Sequence, residues 1–151
     1  MSTETDVSSS PVRQFSIMLP NQAGSLQSLL SLLKSSGVEL LGISVKDSSD
    51  VTIVRMVVTD PETTEQIFLE RGIPHTTSEM LVVAFREAAS ELLDCLNTFN
   101  NAETNIDFGY ALLPHPKGQS LFAFHVDDVE FGKHLLSNSG FTVMEQDDLS
   151  R

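Results

Sequence analysis

Cysteine is nearly absent: Cys95 is the only one in 151 residues. A single thiol excludes an intrachain disulfide framework and fits a reducing cytoplasm. Basic residues are also scarce, with 9 Lys and Arg against 21 Asp and Glu and a formal net charge of −12. Nucleic acid is excluded as a partner on this ground, because neutralising phosphates takes clustered Lys and Arg. Acidity of this size favours solubility. No apolar run approaches the ~18 residues of a membrane span. Residues 1–10 are rich in Ser and Thr and lack a basic stretch followed by an apolar one, so they read as a disordered tail and not as a signal peptide. Familiar chemical motifs are missing as well: there is no Gly-x-Ser-x-Gly, Walker A or dinucleotide fingerprint. His75, His115, His125 and His134 are widely spaced, whereas a zinc site needs three or four converging ligands. No catalytic residue, metal ligand or cofactor is assigned.

What is present is a core-forming pattern, with 40% hydrophobic residues. Residues 12–19 alternate, with Phe15, Ile17 and Leu19 on one side and Gln14, Ser16 and Met18 on the other, as in a half-buried strand. Leu26, Leu29, Leu30 and Leu33 then recur at helical spacing, and Gly37 stands where a helix C-terminal glycine is expected. Residues 38–45 and 51–58 form a hairpin about the turn Asp47-Ser48-Ser49-Asp50. Asp60 caps a helix whose first residue is Pro61 and whose end is marked by Gly72. Residues 73–77 are a short closing strand. The order β-α-β-β-α-β is that of ferredoxin-like folds.

The pattern then repeats: a strand at 80–85, a helical face of Leu92, Leu93, Leu96 and Phe99, and strands at 106–113 and 119–126 about Pro114-His115-Pro116-Lys117-Gly118. A helix follows, capped by Asp127 and ended near Gly140, and a last strand occupies 141–144. Leu26 falls on Leu92 and Leu30 on Leu96, a displacement of about 66 residues that marks an internal duplication. Units this small are marginal alone. The fold class is therefore α+β: two ferredoxin-like βαββαβ units side by side in an antiparallel sheet with helices on one face. The boundaries are 11–78 and 79–151, joined by the short linker Thr77-Ser78-Glu79.

One stretch points to function. In Leu19-Pro20-Asn21-Gln22-Ala23-Gly24-Ser25-Leu26 a strand stops at a proline and a helix begins within a few residues. Such a turn aims backbone N–H groups at a small anion. Two βαββαβ units with an Asn-x-x-Gly-x-Leu turn after the first strand resemble the ACT domain family, and the resemblance spans about residues 12–150. It rests also on the hairpin strand at 50–55 and on Ile106-Asp107-Phe108-Gly109-Tyr110. The resemblance implies a small free-standing regulatory protein that binds a free amino acid or similar metabolite. Asn21, Gln22, Ala23, Gly24, Ser25 and Leu26 would take the carboxylate. The strand carrying Asp107, Phe108, Gly109 and Tyr110 would receive the ammonium, with Gly109 allowing close approach. It further implies action in trans on a biosynthetic enzyme such as acetolactate synthase, with no catalysis of its own.

The matching turn of the second unit has Glu87 for Asn21 and Ser90 for Gly24, so one site per chain is expected. Arg55 reads as a salt-bridged structural residue, and Cys95 as core. Met18, Val54 and Met56 are expected on the outer sheet face, where they favour a homodimer. Two other functions stay open. A small enzyme on a ferredoxin-like scaffold would need an anion-clamping arginine, which this turn lacks. A ligand-free assembly protein would work through its exposed sheet faces or edges.

Overall fold

The computed structural model describes residues 10–114 and 118–150. The elements are β1 (Val12–Pro20), α1 (Ser25–Ser35), β2 (Leu40–Asp47), β3 (Val51–Val58), α2 (Pro61–Glu70), β4 (His75–Phe85), α3 (Ala88–Asn101), β5 (Ile106–Ala111), β6 (Ser120–Val126), α4 (Val129–Asn138), β7 (Thr142–Met144) and α5 (Gln146–Leu149). The order is two βαββαβ units, and every strand pairing is antiparallel. The expected tail lies outside the described residues except for Ser10, and so does His115-Pro116-Lys117 of the second hairpin turn.

The two units share a strand. Residues 73–77 and 80–85 are not separate strands about a linker, because Thr77-Ser78-Glu79 sit inside the 11-residue β4. Its first half pairs with β1, from Ile17 opposite His75 to Val12 opposite Met80. Its second half pairs with β6 and, on residues 82–84, with β7. The boundary expected at 78/79 thus falls within a strand. One sheet results, in the order β2-β3-β1-β4-β6-β5 with β7 added on β4.

Strand alternation assigns the faces. Phe15, Ile17, Val54, Met56 and Val58 meet α1 and α2 through Leu29, Leu33 and Phe68. Leu81, Val83, Phe85, Phe124 and Val126 meet α3 and α4 through Cys95, Phe99 and Leu136. Val54 and Met56 are therefore 0% exposed in the core, and of the three expected outer-face residues only Met18 is exposed, at 65%. Residues 51–58 are apolar on both sides of the strand, so periodicity alone does not choose the face. Pairing with β1 does, because Phe15 stands opposite Met56 and Ile17 opposite Val54. The cap of α4 also differs by one residue: Asp128, not Asp127, accepts from the Phe131 N–H, at 3.0 Å.

The opposite face is concave and forms a third core. Val12 and Val57 of the first unit pack with Leu112, Leu121 and Ala123 of the second. The sheet curls until its outermost strands meet: the Leu113 N–H donates to the Leu41 carbonyl at 2.7 Å. Gly42 eases this closure, since a Cβ there would run into the end of the Leu112 side chain. Helix α5, which periodicity did not reveal, adds Leu149 to this core. Gln146 ties α5 to β1, with its N–H donating to Ser10 O and its Oε1 accepting from the Arg13 N–H, both at 3.0 Å.

Above the apolar floor a polar chain crosses between the units. The Tyr110 hydroxyl donates to Gln14 Oε1 at 2.7 Å, and Gln14 Nε2 donates to Ser78 Oγ at 3.0 Å. Gln14 is buried, so losing one partner leaves an amide oxygen unsatisfied. Burial also pushes the Tyr110 phenol pKa upward, and the nearby Arg55 charge only partly opposes this. We expect Tyr110→Phe to cost about 1–3 kcal/mol in urea denaturation. A change below a few tenths would show that the chain carries no weight.

Candidate ligand-binding turn

The turn after β1 owes its shape to Gly24, which sits at φ +89° and ψ −9° as the N-cap of α1. That conformation is costly for any residue with a Cβ. Around it, the Gln22 N–H donates to Pro20 O at 2.8 Å and the Ser25 N–H to Gln22 O at 3.3 Å. The Ser28 N–H is the first to reach back into the helix, to Gly24 O at 2.9 Å. The N–H groups of Leu26 and Gln27 have no acceptor among the described residues, no side chain caps the helix, and its first turn holds no acid. Unpaired donors and the positive end of the helix dipole thus coincide.

The Ala23 and Gly24 N–H groups likewise have no acceptor among the described residues, and these two residues border a cavity of about 520 Å3. Pro20, Gln22, Ala23, Gly24 and Ser25 form one wall, and Leu19, Leu29, Leu32 and Ile73 an aliphatic one. Arg71 completes the lining. It caps the end of α2 and has no carboxylate partner among the described residues. Sequence reasoning missed it. The available signal was the fold itself, in which α1 and α2 share one sheet face and the end of α2 returns to the start of α1. Leu26 lines an adjoining cavity of about 590 Å3 with Gln22, Gly24, Leu30 and Lys34.

Asn21 has a different place. Its Oδ1 accepts from Thr52 Oγ1 at 2.9 Å and its Nδ2 donates to Ser48 O at 3.3 Å. It pins the turn to the β2–β3 hairpin and lines neither of these two cavities.

The second unit has no such turn. Helix α3 begins at Ala88, so Ser90 is already helical, and Glu91 Oε1 accepts from the Arg86 N–H at 2.8 Å. The helix start is occupied by the chain's own carboxylate.

Strand β5 lies three places from β1 in the sheet, and the turn cavity is lined by first-unit residues. Within one chain, then, residues 106–110 and the turn are not brought together. Asp107 Oδ2 meets His125 Nδ1 at 2.9 Å. Phe108 stacks on His125, with centroids 4.8 Å apart and planes at 7°. Tyr110 serves Gln14. The space a Cβ on Gly109 would take is filled by Phe122, at 2.9 Å, and Ala123 O, at 3.0 Å. The glycine there makes room for packing. Arg55 departs from expectation too: it forms no salt bridge among the described residues, and its guanidinium lies 3.9 Å over the Phe108 ring. Cys95 is in the core as read, and burial pushes its thiol pKa up to about 12. Among the described residues no group of three or more His, Cys, Asp or Glu is gathered to hold a metal. Nor does any helix there have the length and apolarity to cross a membrane.

A scan against protein families matches residues 10–151 to the ACT domain pair. The chain belongs to this family. Among solved structures, protein BT0572 from Bacteroides thetaiotaomicron is similar, with a TM-score of 0.85 and 15% identity over 95% of this chain and 99% of that one. The ligand-free regulatory subunit of aspartate kinase from Thermus thermophilus has a TM-score of 0.57 and 11% identity, over 84% of this chain and 89% of that one. Aspartokinase alpha and beta subunits give 0.57 and 14%, over 84% and 90%. At these identities the likeness is one of fold. No protein of curated function matches the sequence. As an ACT domain pair, the chain combines one open, glycine-built turn with one turn filled by its own glutamate.

Gly24→Ala meets no atom within 4 Å, so its cost is backbone strain alone. We expect about 1–2 kcal/mol by denaturant titration. A neutral or stabilising substitution would contradict the assigned conformation.

Proposed function

We propose that this ACT domain pair binds a free amino acid, or a similar small carboxylate metabolite, at the turn built on Gly24, and that it regulates a biosynthetic enzyme without catalysis of its own. The observation that carries this reading is the meeting of the unpaired Ala23 and Gly24 amides, Arg71 and an aliphatic wall around one cavity. Amides near Gln22, Ala23, Gly24, Ser25 and Leu26 receive the carboxylate, Arg71 adds charge, and Leu29, Leu32 and Ile73 face the aliphatic part. Asn21 acts by holding the turn in place.

The cavity lining has no carboxylate for an ammonium. A neighbouring copy in a homodimer supplies it, through the part of the β5 edge short of its closure onto β2 at Leu113 and through Asp107. Phe108, Gly109 and Tyr110 contribute backbone there, because their side-chain positions are committed within the chain. Ligand binding across this seam biases one assembly over another by its differential affinity for the two. The target acts in trans in the cytoplasm, a biosynthetic enzyme such as acetolactate synthase. Regulatory function is supported by the family and by the fold shared with the Thermus thermophilus aspartate kinase subunit.

Thermal melting with each of the twenty amino acids tests this. At about 100 times its Kd a specific ligand stabilises by about 2.7 kcal/mol. For a domain of this size that raises Tm by roughly 5–10 °C. Gly24→Asp is expected to remove the rise, and Arg71→Gln to reduce it. Twenty unmoved melting curves would overturn the amino-acid reading.

A further inference from the structure

The concave face of the sheet is plugged by apolar side chains toward α5 and becomes polar away from it. Beyond Gln14 and Tyr110, one row crosses four strands in register. Ser44 of β2 stands opposite Arg55 of β3, Arg55 opposite Ser16 of β1, and Ser16 opposite Thr76 of β4. All four share the face of Val57, Gln14 and Ser78, and directly opposed residues place their Cβ atoms about 4.5–5.5 Å apart. The row is thus a half-buried guanidinium flanked by hydroxyls.

None of these groups is used by the protein's own polar network. Arg55 has no carboxylate or hydrogen-bond partner among the described residues, and its one contact of note is the Phe108 ring beneath it. The hydroxyls of Ser16, Ser44 and Thr76 are likewise unpartnered. Among the described residues the only sealed and unsatisfied side-chain nitrogen or oxygen is Arg13 Nε, so the polar atoms of Arg55, Ser16 and Ser44 remain reachable from solvent. Asp107, next to Phe108 in β5, is held by His125. In a chain of formal net charge −12, an unpaired cation in a concave, hydroxyl-lined mouth is a site without its counterion.

We propose that this mouth is a second binding site, for a small anion bearing a carboxylate or phosphate group, with Arg55 as its charge and Ser16, Ser44 and Thr76 as its hydroxyl donors. It is separate from the Gly24 turn, which lies beyond the end of the same strand. The anion shares the guanidinium with the Phe108 ring.

Amide chemical-shift titration of the full chain tests this, with sodium acetate and sodium phosphate as separate arms at constant ionic strength. Saturable shifts at Ser16, Ser44, Arg55 and Thr76 are expected, and the arm with the lower midpoint names the headgroup. Arg55→Gln should weaken binding by about tenfold to a hundredfold, the worth of a hydrogen bond to a charged group. Should that variant fail to fold, the paired change Ser16→Ala and Ser44→Ala should weaken binding severalfold with the melting curve retained. Gly24→Asp should leave the midpoint unchanged, which separates this site from the turn. Non-saturating shifts in both arms, a midpoint that ignores the row variants, or shifts lost in Gly24→Asp would overturn the assignment.

Discussion

Strand β4 is the constraint on which the other features depend. A unit of about 65 residues buries too little surface to be secure alone. Here each unit borrows the same strand, so ordering His75–Phe85 once completes both sheets. A flexible linker would have left the units to find each other at an entropic cost. A continuous backbone sets their relative position by strand geometry. That position in turn decides which residues face one another across the concave side.

Two consequences follow from this placement. Helices α1 to α4 are on the outer face, where they cover the Phe15–Phe68 and Phe99–Phe124 cores, while the short α5 packs on the inner one. The inner faces turn toward each other and close through Leu113, Leu41 and the gap left by Gly42. The inner space is then graded, from aliphatic floor through the Tyr110–Gln14–Ser78 chain to the Arg55–Phe108–His125 stack. The Gly24 turn lies outside this space, at the start of α1. The molecule therefore separates two kinds of surface: an inner one that joins the units and an outer one where several turn amides and the Arg71 charge have no partner among the described residues.

Much of this was legible in the residues. Alternation in β1, the Asp60-Pro61 start of α2, the glycines after the helices and the internal repeat all act locally, and local signals survive in a sequence. The continuity of β4 was not legible, because its first half reads His-Thr-Thr-Ser-Glu and looks like a linker. Its strand character comes from backbone pairing with β1, a long-range fact. The facing of Val54 and Met56 was hidden for the same reason, since a strand apolar on both sides takes its orientation from its partner. At the candidate site, Gly24 stood out because turn chemistry is local. Arg71 did not, because only the packing of two helices on one sheet brings it there. Gly109 signalled close approach correctly in kind, but the approaching group is Phe122. Arg55 looked like half of a salt bridge, and an aromatic ring took the place of the carboxylate.

Native-state hydrogen exchange tests the shared-strand account most directly. If β4 binds the units into one cooperative body, the slowest amides of the first unit, at Phe15 and Val54, and of the second, at Val83 and Phe124, open with one common free energy equal to that of global unfolding. Either set opening on its own, at a free energy lower by about 1 kcal/mol or more than the other, would show two independently folded units and contradict the account.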